Sequence, residues 1–476
     1  MWRKVLTWLQ GFAGRLFNGN PLIQYDGSLP IAENPWLPGM IYRLRAHLTP
    51  DLAKEMVWVV SGQLMVLCAS VLCTKVFASQ LGQEQYGRLA LGLTLPVLIN
   101  QFFFGPITTT VVRYYSAYQE AGLLRSLLSV VYRFVGGLTG IFFSVGAVVC
   151  LGIARVQGFA WGWIFFSALV YGLLQNAQSL LNGMQVAARR RANAAIHQAL
   201  DPCSRLLLGG LAILCLGKSA EAAVTGYAVG MTLVLLSQRY WFNRTLPAEE
   251  AVRPDQFQSI RATLWNFAKY IILFGCFTWG PLVSDRWGLK IFLGDASVGL
   301  YAVVVQLASV PSVVLAGSLH QLVNPIVFQR AGDASDSVRV VAAMRVIRLG
   351  VLGMMAWIGF CAMVAAWLGA PILEICSSPA YRSGAPYLPL VVVGLGLMQV
   401  GHMLGLIPMI MNDLRLLTVC KIVHSLVAVI INIAGAWLYG VMGIALACII
   451  TGVLYVGMMV WNNAGLVRVN GSPDAK

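Results

Sequence analysis

From residue 54 onward the chain is a succession of long apolar runs separated by short polar breaks. A helix needs about 20 apolar residues to cross a hydrocarbon core of about 30 Å, and the runs meet that length repeatedly. They predict spanning helices at 55–80, 87–112, 126–153, 159–184, 194–216, 221–242, 264–290, 297–328, 341–369, 385–411, 414–438 and 441–463. That is twelve helices, with no strand expected. Asp201, Pro202 and Arg205 interrupt the fifth. Ahead of the first helix, Trp2, Val5, Leu9, Phe12 and Leu16 fall near helical spacing with Arg3, Lys4 and Arg15 among them. An interfacial helix or a partly ordered tail fits this pattern, followed by a linker containing Pro21, Pro30, Pro35 and Pro38. The tail lacks the continuous apolar region and small-residue cleavage site of a signal peptide.

Composition agrees with the pattern. Hydrophobic residues make up 58% of the 476 and charged residues 11%. A soluble domain carries about a quarter charged residues, so lipid must cover much of this surface. The net charge of +15 then reads as cytoplasmic Lys and Arg, and nucleic acid is not implied. With a cytoplasmic N-terminus, 25 of the 33 Lys and Arg lie inside, 6 lie outside, and Arg205 and Arg286 remain within the membrane. An even number of spans with both termini inside satisfies that bias. The predicted organisation is a tail (1–53), a six-helix bundle (54–245), a linker (246–262), a second six-helix bundle (263–465) and a short cytoplasmic tail (466–476).

The two bundles carry an internal repeat. Leu81, Gly82 and Gly87 recur as Leu293, Gly294 and Gly299 at an offset of 212. The same offset pairs Gly105 with Gly317 and Thr108 with His320. Equivalent points lie six spans apart, so the repeats run in the same direction, an arrangement that places a substrate path between halves.

Polar residues inside spanning helices are costly, and they face a cavity or a partner helix. Gln63, Ser70 and Thr74 share one face of the first helix. Thr94, Gln101, Gly105 and Thr108 share a face of the second, and Gln306, Gly317, His320 and Asn324 one of the eighth. These stripes are candidates to line a central hydrated cavity, with helix packing as the other reading. Asp285 and Arg286 sit toward the outer end of the seventh helix, and Asp201 and Arg205 form an i, i+4 pair in the fifth. With the residues a turn or two from helix ends included, the candidate intramembrane cations (Lys75, Arg133, Arg205, Lys269, Arg286 and Lys421) outnumber the candidate anions Asp201 and Asp285. Such a cavity attracts an anionic substrate. The 10 cysteines and 5 histidines show no metal-ligand spacing, and no P-loop, HExxH or GxSxG motif is present. No metal or cofactor is expected.

Three segments carry a resemblance to a known family. Val76–Leu91 (VFASQLGQEQYGRLAL) resembles the first inter-helix junction of the polysaccharide flippases, which belong to the multidrug/oligosaccharidyl-lipid/polysaccharide exporter superfamily. Val111–Ala117 (VVRYYSA) resembles their second-helix exit, and Ser284–Pro311 the start of their second half. The resemblance covers about residues 54–465. It implies an all-α integral membrane fold of about twelve transmembrane helices, in two parallel-repeat six-helix bundles around a central cavity. It also implies alternating access that carries undecaprenyl-pyrophosphate-linked oligosaccharide across the bacterial inner membrane, as in O-antigen or exopolysaccharide synthesis. The partners would be that lipid-linked oligosaccharide, membrane lipid and the polysaccharide polymerase machinery. Arg286, then Lys75 and Arg205, are the expected substrate contacts. Gln63, Ser70, Thr74, Gln101, Thr108, Gln306, His320 and Asn324 would line the cavity, and Asp285 and Asp201 are the ion-pair or coupling candidates.

Two other readings compete. A multidrug or cation exporter of the same superfamily needs buried carboxylates, and only Asp201 and Asp285 are available. A glycan polymerase or ligase needs a sizeable outer loop, and the longest here, about 370–384 with Glu374 and Arg382, is small.

Overall fold

The computed structural model describes residues 50–246, 256–331, 337–411 and 414–470. The expected N-terminal interfacial helix and proline linker lie outside these, as do parts of the central linker and the C-terminal tail. The chain divides into two compact units, Met1–Met56 and Val57–Lys476. Every element below lies in the second, apart from the first residues of the first helix.

The described residues are helical, with no strand among them. The stretch Pro50–Gly92 breaks at Gly82 (φ 72°, ψ 176°). It therefore forms α1 (50–81) and the start of α2. That second helix (83–120) continues through Thr94–Ile99, a π turn at Asn100–Phe104, and Gly105–Glu120. Next come α3 (Leu124–Gln157), α4 (Phe159–Ala187), α5 (Arg191–Leu216, with a π turn at Arg205–Gly209) and α6 (Ala220–Asn243). The second half holds α7 (Phe257–Leu293), α8 (295–331, with a π turn at Val310–Val314), α9 (Ser337–Cys376) and α10 (Tyr387–Ile410). A break at Gly440 (φ 59°, ψ −132°) divides Leu414–Asn470 into α11 (414–439) and α12 (441–470). Nine described stretches are long and apolar enough to span a membrane. Two of them contain the breaks at Gly82 and Gly440, and α7 completes the twelve. The expected helices are all present, with ends displaced by a few residues.

The turns explain the economy of the connections. At one end of the molecule, the glycine end, five of the six connections pivot on one glycine at positive φ: Gly82, Gly158, Gly217, Gly294 and Gly440. The sixth is a 3₁₀ turn, Pro379–Gly384. A Cβ disfavours this conformation and glycine adopts it freely, so the chain reverses within one residue at Gly82, Gly158, Gly294 and Gly440 and within three at Gly217. The repeat partners Gly82 and Gly294 have the same backbone geometry (φ 72°, ψ 176° and φ 85°, ψ −177°).

The repeat is also visible as a contact. A Cβ on Gly87 would overlap the carbonyl oxygen of Asp295 and lie 2.9 Å from Gly299 N. A Cβ on Gly299 would overlap the carbonyl oxygen of Gln83 and lie 3.0 Å from Gly87 N. Asp295 is Gln83 displaced by 212, so the contact is reciprocal. Such reciprocity marks an isologous, two-fold interface, here inside one chain, between α2 and α8. Apolar cores then form on each side and across the seam. One joins α1, α2 and α4–α6 around Phe77, Tyr171 and Tyr227. A second joins α8–α12 around Ile347, Met403 and Tyr455. A third straddles the seam, with Leu91 of α2 against Leu289, Val303 and Tyr381.

Candidate substrate site between the halves

Where α1, α2, α5 and α6 meet α7 and α8 lies a partly open cavity of about 100 Å³. Its polar wall comprises Ser70 and Thr74 of α1, Tyr86 of α2, Arg205 of α5, Tyr227 of α6, Arg286 of α7 and Gln306 of α8. Arg286 and Thr74 stand eight residues from Gly294 and Gly82. At 1.5 Å per residue this is about 12 Å along each helix. In a core of about 30 Å the cavity therefore lies in the half of the membrane nearer the glycine end.

The two guanidinium groups are held differently. Arg205 opens the π turn of α5, whose wider turn follows Pro202. Its Nη2 donates to Asp201 Oδ2 (3.3 Å). Nε lies 3.1 Å from Asp201 Oδ1, as an ion contact without hydrogen-bond alignment. The Cys73 thiol donates to the Pro202 carbonyl (3.3 Å), tying α1 to this segment. Arg286 is held through its main chain: its backbone N–H donates to Asp285 Oδ1 (2.7 Å). The Arg286 Nε is buried without a hydrogen-bond partner. Tyr86 and Thr74 stand beside it in the same wall, and the Thr74 hydroxyl donates to Ser70 O (3.1 Å). The wall thus presents two cations and several hydroxyls, and the two carboxylates stand behind it. The chemistry of such a wall suits an anion.

Contacts between the halves roof the cavity at the glycine end. Trp287 Nε1 donates to Thr94 Oγ1 (3.3 Å), Lys75 Nζ to Glu374 O (3.0 Å) and Gln83 Nε2 to Ala380 O (2.6 Å). Asp295, with its side chain 8% exposed, receives Arg88 Nε (3.1 Å) from α2 and Lys290 Nζ from α7. Both cations also stand over the Trp161 ring, at 5.7 and 4.6 Å. Toward the opposite end, Thr278 Oγ1 donates to Gln101 Oε1 (3.2 Å), and Arg113 lies over Phe267 (4.5 Å). A larger cavity there, about 430 Å³ between α2, α3 and α7, is mainly apolar.

Of the residues the sequence singled out, Ser70, Thr74, Arg205, Arg286 and Gln306 meet at the cavity. Asp201 and Asp285 orient its arginines. Lys75 lies outside the cavity wall, in the roof. Gln63, half-buried on α1, lies outside the wall as well. Gln101 joins α2 to α7, and the Thr108 methyl packs beside Gly183 of α4. His320 Nε2 is 3.2 Å from Gln399 O of α10, and Asn324 Oδ1 is buried without a partner. Sequence reasoning missed Tyr86, Tyr227 and the Arg88–Asp295–Lys290–Trp161 group. The repeat glycines flanking Gln83 and Asp295 were the available signal for that group.

No protein family's sequence profile matches the chain, and no curated protein matches it in sequence. Its structure does have neighbours. It is similar to the lipid II flippase MurJ in an inward closed conformation (TM-score 0.65, 12% identity, 89% of this chain and 94% of that one). It is similar to an inward-facing multidrug resistance MATE-family transporter of the MOP superfamily (0.62, 13%, 88% and 96%). A third is a MOP superfamily transporter from Pyrococcus furiosus, described by the reverse polarity of its binding pocket (0.57, 12%, 89% and 96%). The chain has the fold of these transporters.

Proposed function

We propose that this protein is a flippase that moves an anionic lipid-linked glycan across the bacterial inner membrane by alternating access. The substrate class is undecaprenyl-pyrophosphate-linked oligosaccharide destined for surface polysaccharide. The observation that carries the reading is the cavity wall: Arg205 and Arg286 converge between the halves while Asp201 and Asp285 stay behind it. A cavity of about 100 Å³ suits a phosphoryl group and not a glycan. Glycan and lipid tail therefore lie outside it, the tail in the bilayer, while the arginines hold the pyrophosphate. The bundles 54–245 and 263–465 are the moving bodies. Both termini face the cytoplasm, so the glycine end faces outward, and the polymerase machinery receives the product there.

A cation exporter shares the fold. Its coupling carboxylates would be Asp201 and Asp285, and each is engaged by protein donors here. Deleting the gene and extracting lipid-linked intermediates separates the readings. Accumulated undecaprenyl-pyrophosphate oligosaccharide with loss of surface polysaccharide is expected. Normal surface glycan with raised sensitivity to cationic drugs would overturn the flippase reading.

A further inference from the structure

The larger cavity, about 430 Å³ between α2, α3 and α7, falls in the range of about 300–1,000 Å³ that small-molecule sites occupy. Ile107 and Val111 of α2, Val131 and Phe134 of α3, and Leu264 and Ala268 of α7 make it mainly apolar. Its depth follows from the chain. Ile107 and Val111 stand 25 and 29 residues beyond Gly82, and Phe134 and Val130 stand 24 and 28 residues before Gly158. At 1.5 Å per residue these are about 36–44 Å from the glycine end. A hydrocarbon core of about 30 Å ends short of that, and the headgroup zones take the whole bilayer to about 40–45 Å. The cavity therefore lies at headgroup level, in the leaflet opposite the glycine end.

Positive charge collects at that level. Arg261 of α7 lines the cavity. Arg133 of α3 stands at its edge, over the ring of Phe257 (4.8 Å) and next in sequence to lining residues on both sides of the contact. Both arginines are exposed, and no carboxylate is among the lining residues. Phe134 meets Trp265 edge to face across the cavity (6.3 Å). Trp265 stays 48% exposed, as a tryptophan at a membrane interface does. Apolar walls beneath two cations at headgroup depth complement an amphiphile with an anionic head and hydrocarbon chains. Basic pockets between spanning helices bind anionic headgroups in this way. A neutral apolar ligand would leave the arginines unused, and a free phosphate would leave the apolar walls uncovered. The cavity also crosses the seam, because α2 and α3 belong to the first half and α7 to the second. One bound molecule touches both.

We infer that this cavity binds an anionic phospholipid of the adjacent leaflet, with its phosphate at Arg133 and Arg261 and its glycerol and upper acyl carbons against Val111, Val131 and Phe134. Only the identity of that leaflet as the cytoplasmic one rests on the topology proposed above. The phospholipid is a resident ligand, distinct from the transported glycan lipid, and it clamps the seam at the end opposite the roof.

The test uses delipidated full-length protein in detergent, titrated with phosphatidylglycerol or with phosphatidylcholine. Bound lipid is counted by native mass spectrometry and the melting temperature is followed in parallel. Phosphatidylglycerol is expected to bind more tightly than phosphatidylcholine and to raise the melting temperature, a comparison that needs no variant. Arg133→Gln and Arg261→Gln should each weaken phosphatidylglycerol binding about fivefold, the worth of one basic residue at an anionic surface. The double variant should lose more than either, and Arg261→Lys should keep its affinity. Ala262→Trp, which fills the cavity from α7, should exclude the lipid by another route. Arg189→Gln, at an exposed arginine outside the cavity, should change nothing. Equal affinity for the two lipids, undiminished binding in the double variant or in Ala262→Trp, or an equal loss in Arg189→Gln overturns the site. Phosphatidylglycerol that binds without raising the melting temperature overturns the clamp. Undecaprenyl phosphate that displaces phosphatidylglycerol from the wild type, and loses affinity in the same variants, overturns the phospholipid assignment in favour of the transported lipid. No transport is measured, so failure of the flippase reading leaves the binding result standing.

Discussion

Asp295 is the most sensitive point of the closed roof. Its carboxylate receives one cation from each half, Arg88 and Lys290, and Trp161 carries both. Asp295→Asn keeps the shape and removes the charge, which leaves two cations over one ring without a counter-ion. Stripping one partner from a fully buried pair costs about 3–5 kcal/mol. Here the cationic side chains are 24% and 28% exposed, and solvent screening lowers the cost toward about 1–2 kcal/mol. That corresponds to about a 5- to 30-fold shift toward the open roof. Cys73 lines the cavity beneath and is buried, so it serves as a native reporter. A membrane-impermeant maleimide is applied from the side that the charge bias places outside, and labelling of Cys73 is read by peptide mass spectrometry. Where opening is fast relative to alkylation, the rate follows the open population. It should therefore rise by the same 5- to 30-fold, while Cys420, buried in the second-half core, stays unlabelled. An unchanged Cys73 rate would mean that Asp295 does not hold the roof. A parallel rise at Cys420 would mean that the substitution loosens the whole fold.

Arg286→Met should weaken binding of undecaprenyl pyrophosphate about 10- to 150-fold, from a charged hydrogen bond of about 1.5–3 kcal/mol; Arg286→Lys should recover part of this, since lysine lacks the two-pronged donor geometry. Equal affinity of the methionine variant in an equilibrium binding assay would remove Arg286 from the site. Lys75→Met should leave that affinity intact and raise Cys73 labelling, because Lys75 bonds to Glu374 O in the roof; lost affinity would return it to the site. Gly87→Ala and Gly299→Ala each drive a methyl into a backbone carbonyl of the opposite half, with a cost of about 1–3 kcal/mol for overpacking. Thermal unfolding in detergent should show similar losses for the two, as the reciprocal contact requires; a silent Gly87→Ala would deny the close approach.

The twelve helices were legible because the bilayer dictates both their length and their apolar character. The helix ends were less so. Phe257–Leu293 starts seven residues before the expected 264, since the polar first turns with Gln258 and Arg261 lie beyond the reach of an apolar-run criterion. The roof was hidden for another reason. Counting charges by side treats Arg88 and Lys290 as independent solvated residues, and Asp295 is the partner of a residue 207 positions away. The repeat came closer to revealing it, because Gly87 and Gly299 are the points where those segments touch.

The polar stripes show how helix geometry limits a reading by spacing. Ser70 and Thr74 stand on an uninterrupted helix and reach the cavity. In α2 a π turn at Asn100–Phe104 intervenes, and in α8 another occupies the corresponding place, Val310–Val314. One extra residue rotates everything beyond it by about 100° relative to a regular helix. Gln306 precedes its π turn and lines the cavity; His320 follows it and meets α10. Likewise Thr94 precedes its π turn and meets Trp287 beside the cavity. Thr108 follows and packs on α4. A face counted at 3.6 residues per turn therefore holds up to the π turn and fails past it. The matched turns separate a cavity-facing segment near the glycine end from one that turns inward within each half. In the second half that inward segment sets His320 against Gln399 O of α10, so the same backbone feature that hid the stripe's fate also keeps His320 out of the arginine cavity.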